Sequence, residues 1–128
     1  MVGDRFVFES EVLFPSGQAT MTQEGLVAID QLATAIRELE SAIPREIDWA
    51  LQVDGHTDIR RIASAQFPSN WELSSARATS VVKYLITRGV SPNRLVAAGY
   101  GEFQPIDEGT SEEALRRNRR IELKLTNR

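Results

Sequence analysis

The sequence predicts a two-layer α/β (α+β) sandwich in the order β-α-β-α-β-(α)-β, with a mixed sheet and its helices on one face. Three patterns predict it. Apolar residues recur at three- and four-residue spacing in two long stretches, apolar and polar residues alternate in two others, and the two kinds of segment interleave along the chain, which demands crossover connections. The short last connection permits an antiparallel pair.

Arg5 to Phe14 is rich in Phe and Val and meets no turn residue before Pro15-Ser16-Gly17. It reads as a strand or extended segment, with residues 1–14 either linker or first strand. Thr20 and Gln23 form a candidate capping box, and Leu26, Ile29, Leu32, Ala33, Ile36 and Leu39 follow as the buried stripe of an amphipathic helix that ends before Pro44. Ile47, Trp49, Leu51 and Val53 then alternate with Asp48, Ala50, Gln52 and Asp54, the period of a strand with one buried face. Gly55 closes it, and His56-Thr57-Asp58 lies just beyond. Residues 59–69 carry Arg60-Arg61 and Pro68 without a clean period and read as a loop, until Ser69 with Glu72 offers another capping box. Leu73, Ala76, Ala78, Val81, Val82 and Leu85 form the inward face of the helix that follows, with Gly89 at its C′ position and Ser91-Pro92 barring continuation. Leu95 to Ala98 is expected as a short buried strand before a tight bend at Gly99-Tyr100-Gly101, and Ser111 to Arg117 as a short helix. Ile121, Leu123 and Leu125 alternate with Glu122, Lys124 and Thr126 as the last strand, its apolar residues inward.

At 128 residues the chain is one domain's worth of material, and 41% hydrophobic with 26% charged residues is the composition of a folded globular chain, not of a disordered, collagen-like or membrane-bundle sequence. No cysteine and a single histidine exclude zinc ribbons, thiolate clusters, thiol proteases and multi-histidine metal centres. A net charge of −3 gives no global attraction to nucleic acid or anionic lipid. Lysine occurs only at Lys83 and Lys124, so nearly every cation is an arginine, the residue suited to carboxylate or phosphate recognition. No run approaches the ~20 apolar residues of a membrane span, and the opening MVGDRFVFES has neither a basic nor an apolar signal-peptide region. Any export signal or anchor is therefore expected in sequence outside these residues.

The strand and helix assignments bring three polar groups together: Asp58 after the second strand, Asn70 to Arg77 at the start of the second long helix, and Asn118-Arg119-Arg120 before the last strand. Loops leaving the C-terminal ends of strands are where ligands bind in interleaved α/β folds. A carboxylate facing a guanidinium suits a zwitterion, Asp58 accepting from an ammonium and Arg77 forking onto a carboxylate. The same pair could equally be a salt bridge or helix cap. A hydrolase triad of His56, Asp58 and Ser74 lacks the G-x-S-x-G elbow, and a metal site of His56 with Asp54 and Asp58 lacks a second imidazole or thiolate. His56 is expected to hydrogen-bond backbone at the turn. Gly99-Tyr100-Gly101 is only half of a dinucleotide fingerprint. Arg116, Arg117, Arg119 and Arg120 are offset by Asp107, Glu108, Glu112 and Glu113 and read as a solvated charge network, not a nucleic-acid surface. Trp49 is expected in the core, and Trp71 as packing at a helix start or the border of a groove.

Gly55-His56-Thr57-Asp58, Asn70-x-x-Leu73-Ser74-x-x-Arg77-Ala78, Gly99-Tyr100-Gly101-Glu102, Pro105 and Asn118-Arg119-Arg120-Ile121 together resemble, in order, the signature of the OmpA-like peptidoglycan-binding domain. The likeness runs from about Phe14 to Leu125. Ser69-Asn70-Trp71-Glu72-Leu73-Ser74 is most similar to the MotB-like branch, related to flagellar stators. The resemblance implies one domain over 1–128 that binds, without catalysis, the diaminopimelate of the wall's peptide stem in the periplasm of a Gram-negative bacterium. It implies ligand-binding roles for Asp58 and Arg77, with Thr57 and Asn70 near the pocket and Arg119 at a structural or ligand-facing position, and it implies no catalytic residue, metal or cofactor. It further implies anchoring of a membrane protein or complex, with an inner-membrane tether and motor or stator partner, a homodimer, or an outer-membrane attachment as the alternative. Rival functions are a periplasmic protein–protein scaffold and a cell-wall hydrolase. One departure stands out: twelve positions separate Asp58 from Asn70, a longer stretch than is typical of OmpA-like domains, which bears on the pocket rim. Substitution of Asp58 or Arg77 is expected to abolish binding without unfolding, both lying at the pocket surface.

Overall fold

The computed structural model describes residues 5–61 and 63–127. The elements are β1 (Arg5–Glu9), α1 (Ser10–Leu13), α2 (Gln23–Ala42), β2 (Trp49–His56), α3 (Asn70–Thr87), a 3-10 turn (Pro92–Arg94), β3 (Leu95–Gly99), α4 (Glu112–Asn118) and β4 (Arg120–Asn127). The sheet runs β1-β4-β2-β3, with β4 antiparallel to both neighbours and β2 parallel to β3. This is the mixed sheet expected, and Ile29, Leu32, Ala33 and Ile36 of α2 meet Ala78, Val81 and Leu85 of α3 above Leu51, Val53, Ile121 and Leu123.

Local sequence accounts for the helix ends. Ser69 is the expected cap, but its hydroxyl accepts from the Trp71 N–H at 3.2 Å and donates to the Glu72 carboxylate, a variant of the capping box. At the far end of α3 Gly89 takes φ +95°, while Val90 N–H donates to Leu85 O and Gly89 N–H to Ile86 O, the paired bonds of a Schellman turn. The cap of α2 is Thr22 and not Thr20. Its hydroxyl accepts from Gly25 N–H and donates to Val12 O, both at 2.9 Å, tying the helix start to α1.

Four other expectations are corrected by tertiary packing. The first strand stops at Glu9, because Ser10 N–H donates to Arg119 O and the chain turns through α1 to bury Leu13 and Phe14. Residues 1–4 of the assigned linker or first strand lie outside the described residues. β3 is an edge strand with Val96 exposed, not a buried one. Ile47 precedes β2 and is exposed, as is Leu125 near the end of β4. Finally, β2 and the first half of β4 are buried on both faces, since Asp54, His56, Arg120 and Glu122 pack as a polar layer on the face the helices leave open.

Two glycines set how closely α3 lies on the sheet. A Cβ on Gly55 would overlap the Ser74 carbonyl, and one on Gly99 would overlap Ser75. This approach fixes the span between the end of β2 and the first two turns of α3. Gly55→Ala is expected to cost about 1–3 kcal/mol, measured as a lower denaturant midpoint at unchanged slope; a wild-type midpoint would show that α3 lifts off freely.

Candidate functional site

Asp58 sits in the loop that leaves β2. Thr57 N–H donates to Gly101 O at 2.9 Å and its hydroxyl donates to Asp58 O at 2.9 Å, so the chain is pinned on both sides of the turn. The Asp58 carboxylate is the hub of the site. Its Oδ1 accepts from the Arg60 backbone N–H at 2.9 Å, and its Oδ2 accepts from Arg60 Nε at 3.1 Å, Arg60 Nη2 at 2.9 Å and Arg119 Nη1 at 2.6 Å. Burial pushes this carboxyl up, and the hydrogen bonds from Arg60 and Arg119 more than reverse it, leaving it below the usual carboxylate range. It is therefore a formal negative charge at neutral pH.

Arg77 lies two turns into α3, on the same face as Asn70, Leu73 and Ser74. Its Nε donates to Gln18 O at 2.7 Å and its Nη2 to Pro15 O at 3.2 Å, and the guanidinium lies 5.1 Å from the Phe14 ring centroid. Those bonds use two of its five N–H groups. Burial first, and the field of Arg119 second, lower its pKa to about 10, so it stays cationic at neutral pH. Asn70 donates to Arg60 O at 3.0 Å and so closes the long loop onto the helix start. The loop's own fold is local: Phe67 N–H donates to the Ser64 hydroxyl, and the Phe67 ring is buried. Ile62, within it, lies outside the described residues.

These groups share one open cavity of about 420 Å³, lined by Thr57, Asp58, Asn70, Arg77 and Arg119 among others. All five residues singled out from the sequence thus meet at one place. Asp58 and Arg77 lie at the pocket surface as expected, but on its floor: each is only 5% exposed, because loop, α1 and α3 close around them. Truncating either to Ala would strand buried partners, so charge-neutral, shape-preserving changes are the cleaner probes. Sequence alone assigns no site role to Arg60 or Glu11 and places Glu112 only in a solvated charge network beside Arg119. Arg60 grips Asp58, while Glu11 and Glu112 both bond Arg119. The Arg60-Arg61 pair was a visible signal without a partner. Glu11 had none, since a strand over 5–14 gives no reason to bring it beside Arg119.

The other sequence candidates fall elsewhere. Ser74 is fully buried under α3, donating to Trp71 O and accepting from Gly101 N–H at 3.0 Å, whereas His56 stands on the opposite, helix-free face of the sheet. A triad of the two is sterically impossible. His56 does not bond backbone at the turn either. Its ring stacks on Tyr100 at 4.9 Å, and among the described residues neither ring nitrogen has a hydrogen-bond partner. Asp54, His56 and Glu122 could each offer one ligand atom within 4.8 Å of the others. Yet Lys124 pairs with Asp54 at 3.2 Å, and Arg5 and Arg120 both pair with Glu122. Three cationic side chains would oppose a metal ion, so the donor set reads as an ion-paired layer. Arg116 and Arg117 are solvated as expected, but Arg120 is buried in this layer, with Nη1 and Nη2 on Asn118 O and Gln104 O. Trp49 is in the core, while Trp71 stands half-exposed against Phe103.

The model of the OmpA family matches residues 13–119. The chain belongs to the OmpA family. The matched span holds Thr57, Asp58, Asn70, Arg77 and Arg119, while Glu11, the partner of Arg119, lies just before it. YtxE of Bacillus subtilis is 36% identical over 118 residues, 91% of this chain but 46% of its own length. The chain thus spans less than half of that relative. Among solved structures, the periplasmic domain of Helicobacter pylori MotB superposes with a TM-score of 0.82 at 29% identity, covering 96% of this chain and 81% of that one. The cell wall anchor of the Pseudomonas aeruginosa T6SS gives 0.81 at 31% identity, covering 97% and 81%. The resemblance to the MotB-like branch is thereby matched at the level of the whole fold.

Proposed function

We propose that this OmpA-family domain binds peptidoglycan without catalysis, through the diaminopimelate of the peptide stem, and so anchors a membrane protein or complex to the cell wall. The observation that carries it is the Asp58 carboxylate and the Arg77 guanidinium on the floor of one cavity. The free end of diaminopimelate carries an ammonium and a carboxylate on one carbon. Asp58 takes the ammonium, displacing the exposed Arg60 head, and Arg77 takes the carboxylate with the N–H groups its backbone partners leave over. Thr57 and Asn70 hold the loop on either side, and Arg119 orients the Asp58 carboxylate while Glu11 and Glu112 hold it in turn. No catalytic group is assigned, because the only histidine is on the other side of the sheet.

The likeness to the cell wall anchor of the Pseudomonas aeruginosa T6SS and to the periplasmic domain of Helicobacter pylori MotB supports the same reading. Among the described residues no helix is long and apolar enough to cross a membrane. We place the domain in the periplasm as one module of a longer, inner-membrane-tethered MotB-like protein, with outer-membrane attachment as the alternative. Two charge-assisted contacts leave a single site near millimolar affinity, on the order of 4 kcal/mol. Useful anchoring then comes from a homodimer or many domains on one polymer.

The test is co-sedimentation of the purified domain with diaminopimelate-type sacculi. Wild type is expected in the pellet at moderate salt, and free diaminopimelate at tens of millimolar is expected to release it. Domain left in the supernatant would sink this reading and favour the protein–protein scaffold; release of soluble wall fragments would favour a hydrolase.

A further inference from the structure

Arg61 and Asn70 line both the Asp58 cavity and a second groove of about 320 Å³. In this groove the rings of Trp71 and Phe103 stack with centroids 5.1 Å apart and planes inclined by 25°. Both remain open to water, Trp71 at 49% and Phe103 at 57% exposure. The platform is held from two sides. The Ser69 cap fixes Trp71 at the start of α3, and Gly101, at φ +62°, bends the chain to deliver Phe103. A Cβ at Gly101 would touch both rings, 3.5 Å from Phe103 and 3.6 Å from Trp71, so the bend is packed directly beneath the pair. Polar groups rim the rings: Ser69, Glu102 and Arg61.

A rigid aromatic surface with hydrogen-bonding groups at its edge is complementary to a pyranose ring, which presents an apolar C–H face and a polar girdle. The geometry points to the Trp71–Phe103 platform as a subsite for the N-acetylated sugar from which the bound stem hangs. The identity of that sugar rests on the peptide-stem reading above. Its reach fits, because the extended stem, lengthened by the γ-glutamyl link and the diaminopimelate side chain, spans roughly 15–18 Å from the lactyl group to the far end of diaminopimelate, and the two cavities share Arg61 and Asn70 as walls. A stem seated on Asp58 and Arg77 therefore delivers its sugar to an adjoining groove. A partner protein would need an interface several times larger than these few residues provide.

The experiment titrates the domain, by calorimetry, with three ligands: the free L-Ala–D-Glu–diaminopimelate stem, the same stem carrying its disaccharide, and glycan strands stripped of peptide. Wild type is expected to bind the disaccharide stem about three- to tenfold more tightly than the free stem. Trp71→Ala is expected to bind both alike at the free-stem affinity, and Trp71→Phe to keep part of the gain. Equal affinities in wild type, or a gain that survives Trp71→Ala, would overturn the platform. If the free stem fails to bind, the peptide-stem reading falls and the stripped strands decide: Trp71-dependent binding of them sustains the sugar subsite, and none removes it. Melting curves establish that each variant is folded.

Discussion

Asp58→Asn is expected to weaken binding of a diaminopimelate stem roughly ten- to a hundredfold, whereas Arg60→Ala is expected to leave it unchanged or tighten it. The asparagine keeps the shape and one acceptor oxygen but removes the charge that meets the ligand's ammonium, a contact contributing about 1.5–3 kcal/mol. Arg60 is the opposite case. Its side chain is 59% exposed, and it donates twice to the same Asp58 oxygen that an incoming ammonium would use. An ion pair with so exposed a partner contributes about 1 kcal/mol or less, so removing it costs the fold little and frees the acceptor. Arg77→Lys is expected to match Asp58→Asn in effect, because a lysine ammonium cannot reach the Gln18 and Pro15 carbonyls and a ligand carboxylate together as the planar guanidinium does. Calorimetry with the free stem measures all three. Wild-type affinity in a folded Asp58→Asn would remove the carboxylate from the site and leave it as the clasp of Arg60 and Arg119.

The opposite signs expected at neighbouring residues show what sequence could and could not convey. Asp58 and Arg77 were legible as a pair because the alternation of β2 and the Ser69 cap of α3 are local signals that hold in the fold, although β2 runs one residue past Gly55 to His56. Arg60 stood in plain view two residues along, but its grip on Asp58 depends on a loop closed by the Asn70 side chain and the Phe67 ring. Helical stripes in α2 and α3 were legible for the same local reason. Ser10–Leu13 was not: nothing in its sequence marks a helix, and the turn exists because Leu13 and Phe14 find the core and Ser10 N–H finds Arg119 O. The alternation of β4 revealed Ile121 and Leu123 as inward, yet the same alternation made Arg120 and Glu122 look solvated. Their burial follows from register alone, which sets His56 opposite Arg120 and Asp54 opposite Glu122 on the helix-free face.

That register carries the second large effect, an acid-sensitive step in stability centred on the only histidine. His56 is 5% exposed, and burial first, then the positive charge of Arg120, lower its pKa to about 4, with Glu122 opposing and Lys124 and Arg5 adding to the depression. Asp54 completes the set of charged groups beside it. In the unfolded chain the imidazole titrates near 6.5, so between pH 6.5 and 4 the unfolded state holds a proton that the folded state does not. Stability must then fall as pH is lowered through that window and stop falling from this source below about 4, a total of about 3 kcal/mol. The part of the window above about pH 5 is separate from the carboxylates: Asp58 and Glu122 both have lowered folded pKa values, so their contributions are lost as pH falls below about 5, through the ordinary carboxylate range. His56→Gln is expected to abolish the slope between about pH 6.5 and 5 while leaving the carboxylate slope below it. Denaturant melts of the untagged domain at half-unit pH steps measure both, and a wild-type slope that persists in His56→Gln would place the proton uptake elsewhere. Because the polar layer lies across the sheet from Asp58 and Arg77, stem binding at pH 5 is expected to keep its affinity per folded molecule while the folded fraction becomes easier to unfold.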